Sequence, residues 1–203
     1  MKTILCYGDS NTWGYNPESD GARFPLTHRW PGLLQEALGA SWYVLEEGLC
    51  GRTAVVEDPL MPGRRGIEFL PVCLDTHDPV DLCILMLGTN DLKTRFNLSP
   101  QEITKAMGLL LDVIIPRVQQ VLLIAPAPLA EKLNHVEFMP RGPVHSRRLS
   151  PLYRVLARDR GVHFLDAGEV ARTDPREGIH LTRESHDALA QAAARMVQEI
   201  YDR

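Results

Sequence analysis

The sequence predicts an α/β protein, a three-layer α/β/α sandwich built on a parallel sheet. Two observations carry that expectation. Five short apolar segments alternate with amphipathic helical patterns, the order required by a parallel sheet with helices on both faces. The first apolar segment also stops abruptly at Gly8-Asp9-Ser10, a polar turn at the end of a strand, where open sheets gather their ligands.

The strand-like segments cover residues 3–7, 42–46, 81–87, 120–125 and 162–165. With the first strand central, the expected order is flavodoxin-like, 2-1-3-4-5. Residues 28–38 read as a helix closed by Gly39, a favourable C-cap. Residues 66–74 place Ile67, Leu70 and Leu74 on one side of a second helix. Ser99-Pro100-Gln101-Glu102 is a capping box with proline at the first helical position. The helix it opens carries the stripe Ile103, Met107, Leu110, Leu111 and Ile114, and Pro116 ends it. A fourth helix spans residues 151–160 and stops at Gly161, and the last covers residues 182–201. Two long connections, residues 52–65 and 126–150, are of the length that usually serves function or an interface.

At 203 residues the chain reads as one domain, residues 1–203, large enough to bury its own core. A net charge of −4 with both signs interspersed, and no basic block, argues against a nucleic-acid partner. No apolar stretch reaches membrane-spanning length and the N-terminus lacks a signal-peptide core, so the expectation is a cytoplasmic protein without membrane contact. Cys6, Cys50, Cys73 and Cys83 form no C-x-x-C pair and read as buried, reduced thiols. The six histidines other than His180 share no metal-ligand spacing, so neither metal nor organic cofactor is expected.

Four clusters fall at strand ends or in loops: Gly8-Asp9-Ser10-Asn11, Glu47 to Thr53, Gly88-Thr89-Asn90-Asp91, and Glu177-Gly178-Ile179-His180. These are the residue types that ester cleavage needs. A serine hydroxyl becomes nucleophilic when a base takes its proton, and histidine suits that role at neutral pH. The imidazole needs an orienting group, usually a carboxylate. The tetrahedral intermediate needs donors aimed at its oxyanion, which the Ser10 and Gly51 amides and the Asn90 side chain supply. Asp9, Asn11 and Trp13 flank the serine and are candidate pocket residues. Asp9 would equally brace the turn, and Trp13 reads either as core or as the wall of an acyl pocket.

In their order and over the whole chain, these clusters resemble the SGNH (GDSL-type) hydrolases, whose name lists the residues matched by Ser10, Gly51, Asn90 and His180. Ser10-Asn11-Thr12-Trp13-Gly14, Glu46-Glu47-Gly48-Leu49, Arg52-Thr53 and Met86 to Asp91 resemble, more narrowly, the small arylesterase/acyltransferase branch. That resemblance implies a serine esterase acting on short acetyl or aryl esters through an acyl-enzyme. It also implies possible acyl transfer to alcohols or peroxide, no cofactor, and a homo-oligomer. The family's acid is normally aspartate three residues before the histidine, where this chain has Glu177. Asp174 is the alternative acid, and a carbonyl or water orienting His180 is a third arrangement. Glu46 stands where many relatives carry asparagine. Three other readings stay open: a carbohydrate O-deacetylase or thioesterase on the same machinery, a non-catalytic flavodoxin-like binding module, and a silent relative. No G-x-S-x-G elbow occurs, which disfavours an α/β-hydrolase.

Overall fold

Strand β1 (Lys2–Gly8) lies inside the sheet, paired in parallel with β2 (Trp42–Gly48) on one side and β3 (Leu82–Met86) on the other. The computed structural model describes residues 1–19, 21–133 and 135–202. Strands β4 (Gln120–Ala125) and β5 (His163–Asp166) complete a five-stranded sheet in the order 2-1-3-4-5, as the sequence predicts.

Side chains alternate along each strand, so the sheet feeds two apolar layers. Leu5, Tyr7, Cys83, Leu85 and Leu123 face one layer, with α3 (Gly66–Thr76), α4 (Pro100–Ile114) and α5 (Gly142–Arg160). Ile4, Cys6, Leu82, Ile84, Leu122 and Ile124 face the other, where α2 (Trp30–Leu38) and α7 (Arg183–Tyr201) pack. Ala190 and Ala193 let α7 approach the sheet closely. Two further helices are one turn long: α1 (Ser10–Trp13) after β1, and α6 (Ala167–Val170) after β5. No helix among the described residues is long and apolar enough to cross a membrane.

The capping signals act as their chemistry requires. Ser99 Oγ accepts from the Glu102 amide at 3.2 Å, and Glu102 Oε2 accepts from the Ser99 amide at 2.7 Å. Gly39 and Gly161 end α2 and α5 with positive φ.

One helix differs from the sequence pattern. Helix α5 starts at Gly142, well before Pro151, which lies inside it. Pro143 takes the first-turn position that the sequence reading gave to Pro151. Ser146, Leu149, Tyr153 and Ala157 form one buried stripe across Pro151, and that burial outweighs the roughly 3 kcal/mol an interior proline typically costs. The long loop after β4 is correspondingly shorter than the 126–150 read from sequence.

The end of β2 presses against α1. A Cβ on Gly48 would lie 2.1 Å from the Trp13 amide nitrogen, a backbone atom that has little room to move. Gly48→Ala should therefore destabilise the protein by about 3 kcal/mol, read as a lower urea midpoint, whereas Gly108→Ala, inside α4 with nothing nearer than 3.4 Å to the added methyl, should cost much less.

Candidate active site

The site sits at the carboxyl edge of β1, β2 and β3. Asp9 caps α1, its carboxylate accepting from the Asn11 amide at 2.9 Å, and so turns Ser10 out of the strand. Ser10 Oγ lies 3.0 Å from His180 Nε2. On the other side of the ring, His180 Nδ1 lies 2.8 Å from Glu177 Oε2. Glu177 Oε1 accepts from the amides of Ile179, at 3.2 Å, and His180. Burial pushes the Glu177 carboxyl up, but the imidazole and these two amides together hold it below the usual range.

His180 is carried by a loop, not a strand, and the loop is stitched. The His180 carbonyl accepts from the Asp174 amide at 2.7 Å, and the Asp174 carbonyl accepts from the Gly178 amide at 2.7 Å. Gly178 adopts φ +83°, which the turn between Glu177 and the histidine demands. Asn11 ties this loop to α1: its Oδ1 accepts from the Leu181 amide at 2.9 Å and its Nδ2 reaches the Ile179 carbonyl at 3.5 Å. Tyr15 stacks face to face on the His180 ring, with centroids 3.7 Å apart and planes at 18°.

Gly51 (φ +80°) follows β2, and Asn90 follows β3. The Asn90 side-chain amide donates to the Arg52 carbonyl at 3.1 Å, leaving its second N–H for the cleft. Arg52, itself buried, donates to the carbonyls of Gly8 (2.8 Å) and Glu47 and lies 4.1 Å over the Tyr7 ring. The Asp91 carboxylate accepts from the Ala54 amide at 3.0 and 3.1 Å. Burial pushes Asp91 up to about 7 and Asp9 up to about 6.

Ser10, Gly51, Asn90 and His180 line one cleft of about 170 Å³, with Tyr15, Met61, Phe138 and the buried Lys93 on its walls and the more exposed His135 and Glu137 toward its rim. The remaining sequence candidates lie elsewhere. The Asp174 carboxylate is taken by Arg176, at 3.0 and 2.6 Å, and that pairing lowers its pKa; it makes no bond to His180. Asp9 and Asn11 are buried beneath the serine turn and do not line the cleft. Trp13 lies outside it too, with the Arg23 guanidinium 5.2 Å over its ring. Gly14, with φ +91°, ends α1 and redirects the chain so that Tyr15 reaches the imidazole instead. Of residues 126–150, His135, Glu137 and Phe138 reach the cleft, while Asn134 lies outside the described residues. Sequence reasoning missed Tyr15 and Lys93, whose placement depends on that turn and on the short helical turn at Asn90–Leu92.

Comparison with known proteins identifies the family. The profile of the GDSL-like lipase/acylhydrolase family matches residues 6–188. The chain belongs to that family. The aryl esterase of M. smegmatis is similar at 39% identity, over 98% of this chain and 99% of that one, with a TM-score of 0.93. A carbohydrate acetylesterase from Sinorhizobium meliloti is similar at 36% identity, over 99% and 100% of the two chains, with a TM-score of 0.93. A G-D-S-L family lipolytic protein from Veillonella parvula shares the fold at 15% identity and a TM-score of 0.72. No curated protein matches. As a GDSL-like acylhydrolase the protein is a carboxylic ester hydrolase, which sets aside the reading as a flavodoxin-like binding module.

Two expectations follow from the geometry. Asn11→Ala should lower kcat about tenfold and stability by about 1 kcal/mol, since each hydrogen bond lost to the histidine loop is worth roughly that much. A urea titration paired with initial-rate kinetics would read both. Asp91, raised in the folded state, contributes stability that is complete below its ordinary pKa and lost as pH rises through about 7. Asp91→Asn should therefore gain on the native protein, by on the order of 3 kcal/mol, between pH 4 and pH 8 in chemical denaturation.

Proposed function

We propose that the protein cleaves short-chain acyl esters through an acyl-enzyme on Ser10, with His180 as base and Glu177 as the acid that orients it. The observation that carries this is the continuous line Ser10 Oγ–His180 Nε2–Nδ1–Glu177 Oε2, at 3.0 and 2.8 Å, opening into a small cleft. Glu177 accepts from Nδ1–H, which leaves Nε2 with a lone pair toward the serine hydroxyl. As Ser10 attacks the acyl carbon, its proton passes to Nε2, and the imidazolium is stabilised by the carboxylate beside it. The Ser10 and Gly51 amides and the Asn90 side chain receive the oxyanion; losing one such donor typically costs ~10²–10³ in rate. His180 then returns the proton to the departing alcohol. Water, or a second alcohol or peroxide, resolves the acyl-enzyme by the same steps in reverse. Tyr15 limits rotation of the ring through stacking.

A cleft of about 170 Å³ suits an acetyl or similarly short acyl group. The polar lining supplied by Lys93, His135 and Glu137 supports a second reading, a hydroxylated leaving group such as a partly acetylated sugar. The four thiols, unpaired and three of them buried, fit a reducing, cytoplasmic setting. A homo-oligomer is also part of the proposal, with exposed Phe69 and Val72 on α3 as a surface it would cover.

The test is a fluorophosphonate probe together with hydrolysis of p-nitrophenyl acetate. Ser10→Ala should abolish both labelling and turnover. Glu177→Gln should lower kcat by about 10²–10⁴, as when a triad carboxylate is neutralised, while Asp174→Asn should leave kcat near the native value. Loss of activity in Asp174→Asn alone would overturn the assignment of Glu177.

A further inference from the structure

Away from the cleft, three side chains of different ligand chemistry converge at the open edge of the sheet. Glu47 lies near the end of β2, the edge strand. Cys73 lies in α3 and His77 follows its last residue, one helical turn further on, with its amide donating to the Cys73 carbonyl. His77 Nε2 is 3.2 Å from Glu47 Oε1, and the carboxylate oxygen, the thiol sulfur and the ring nitrogen all lie within 4.8 Å of one another. We propose that Glu47, Cys73 and His77 bind a single divalent cation of borderline softness, with Zn²⁺ the best match.

The donor chemistry and the Glu47–His77 separation support this ion class. A tetrahedral Zn²⁺ with nitrogen and oxygen ligands at about 2.0–2.1 Å sets those two atoms about 3.3 Å apart, and a sulfur ligand at about 2.3 Å lies slightly farther from each. The observed Glu47–His77 separation is already close to that edge length. A mixed carboxylate, imidazole and thiolate set suits Zn²⁺ and disfavours Mg²⁺ and Ca²⁺, which take oxygen ligands. The burial is graded. Cys73 is 1% exposed, while the Glu47 and His77 side chains are 26% and 27% exposed, so an ion has a route in and room for a water as fourth ligand.

Forming the thiolate is the cost that ion binding must offset. Burial, and after it the Glu47 carboxylate, push the Cys73 thiol up to about 12, with Arg52 acting the other way. Without an ion the site therefore holds a protonated thiol and a His77–Glu47 hydrogen bond. Binding replaces the thiol proton, Cys–SH + M²⁺ → Cys–S–M⁺ + H⁺, and the carboxylate neutralises the remaining charge. None of the three donors lines the cleft, so the ion takes no part in ester cleavage. It would instead fasten β2 to α3 immediately before Gly48, where the loop carrying Gly51 begins.

Co²⁺ makes the site visible. Chelator-treated protein titrated with Co²⁺ should gain, at one equivalent, a near-ultraviolet thiolate-to-cobalt charge-transfer band that Zn²⁺ abolishes by competition. The band should vanish in Cys73→Ser and persist in Cys50→Ser, which removes the cysteine that lines the cleft. Should Cys73→Ser fail to fold, His77→Gln, at the exposed rim, should weaken Co²⁺ binding at least tenfold. No charge-transfer band at one equivalent, or a band that survives Cys73→Ser or an affinity unchanged in His77→Gln, would overturn the site. Either result leaves the fluorophosphonate test of Ser10 unaffected.

Discussion

The bond between Ser10 Oγ and His180 Nε2 spans 170 residues of sequence, and the fold holds its two partners by different means. Ser10 is held by the sheet: β1 is fixed between β2 and β3, with Gly8 in register with Gly48 and Met86, and Asp9 caps the turn that follows. His180 has no strand behind it. Ordering a loop costs on the order of 1–2 kcal/mol per residue, and a hydrogen bond returns roughly 1 kcal/mol, so one tie would not suffice. The loop has several: the Asp174 and Gly178 amides, the Thr182 cap on α7, the Ala130 amide on the Gly178 carbonyl, and both ends of the Asn11 amide. That redundancy lets a loop place an imidazole with the accuracy of a strand.

The same sheet edge buries Asp9, Arg52, Asp91 and Lys93. Burying such groups unpaired would be costly, and their arrangement shows how that cost is met. Arg52 bonds the carbonyls at the ends of β1 and β2, Asp91 takes the Ala54 amide, and Asp9 takes the Asn11 amide. Asp9, Arg52 and Asp91 thus each satisfy backbone atoms that regular strand pairing leaves over, while Lys93 Nζ lies 3.7 Å from the buried Asp58 carboxylate. The apolar layers above and below, from Leu5 and Tyr7 to Ile4 and Cys6, supply the stability that makes this polar edge tolerable.

What the sequence shows and hides follows from the same physics. Strand order and helix placement are legible because burial imposes a period of two or of 3.6 on the apolar residues. The start of α5 is hidden because a local rule about proline at Pro151 competes with a buried stripe that only the folded state defines. Ser10, Gly51, Asn90 and His180 stand out because each is a polar or glycine residue at a strand end or a helix entry, and the structure gathers all four in one cleft. Trp13 and Tyr15 cannot be ranked from sequence, since the left-handed turn at Gly14 decides which aromatic meets the imidazole. Asn11 looks like a pocket residue until the 180 loop is seen lying against it. The Glu47–Cys73–His77 cluster escapes a search for paired histidines because its donors come from a strand, a helix and the residue that caps that helix.

Glutamate at position 177 is one departure from the family pattern, and the structure gives it a physical account. The carboxylate acts at both of its oxygens. Oε1 caps the amides of Ile179 and His180, while Oε2 reaches Nδ1 of the ring carried by the second of those residues. The extra methylene lets the side chain fold back over the Gly178 turn and hold the backbone and the imidazole of His180 at once. An aspartate, one methylene shorter, would have to draw the turn closer to do the same. Because one of the amides that help keep Glu177 ionised belongs to His180 itself, the carboxylate and the imidazole are fixed as one unit. Only the distance from that unit to Ser10 is then left for Asn11 and the sheet to set.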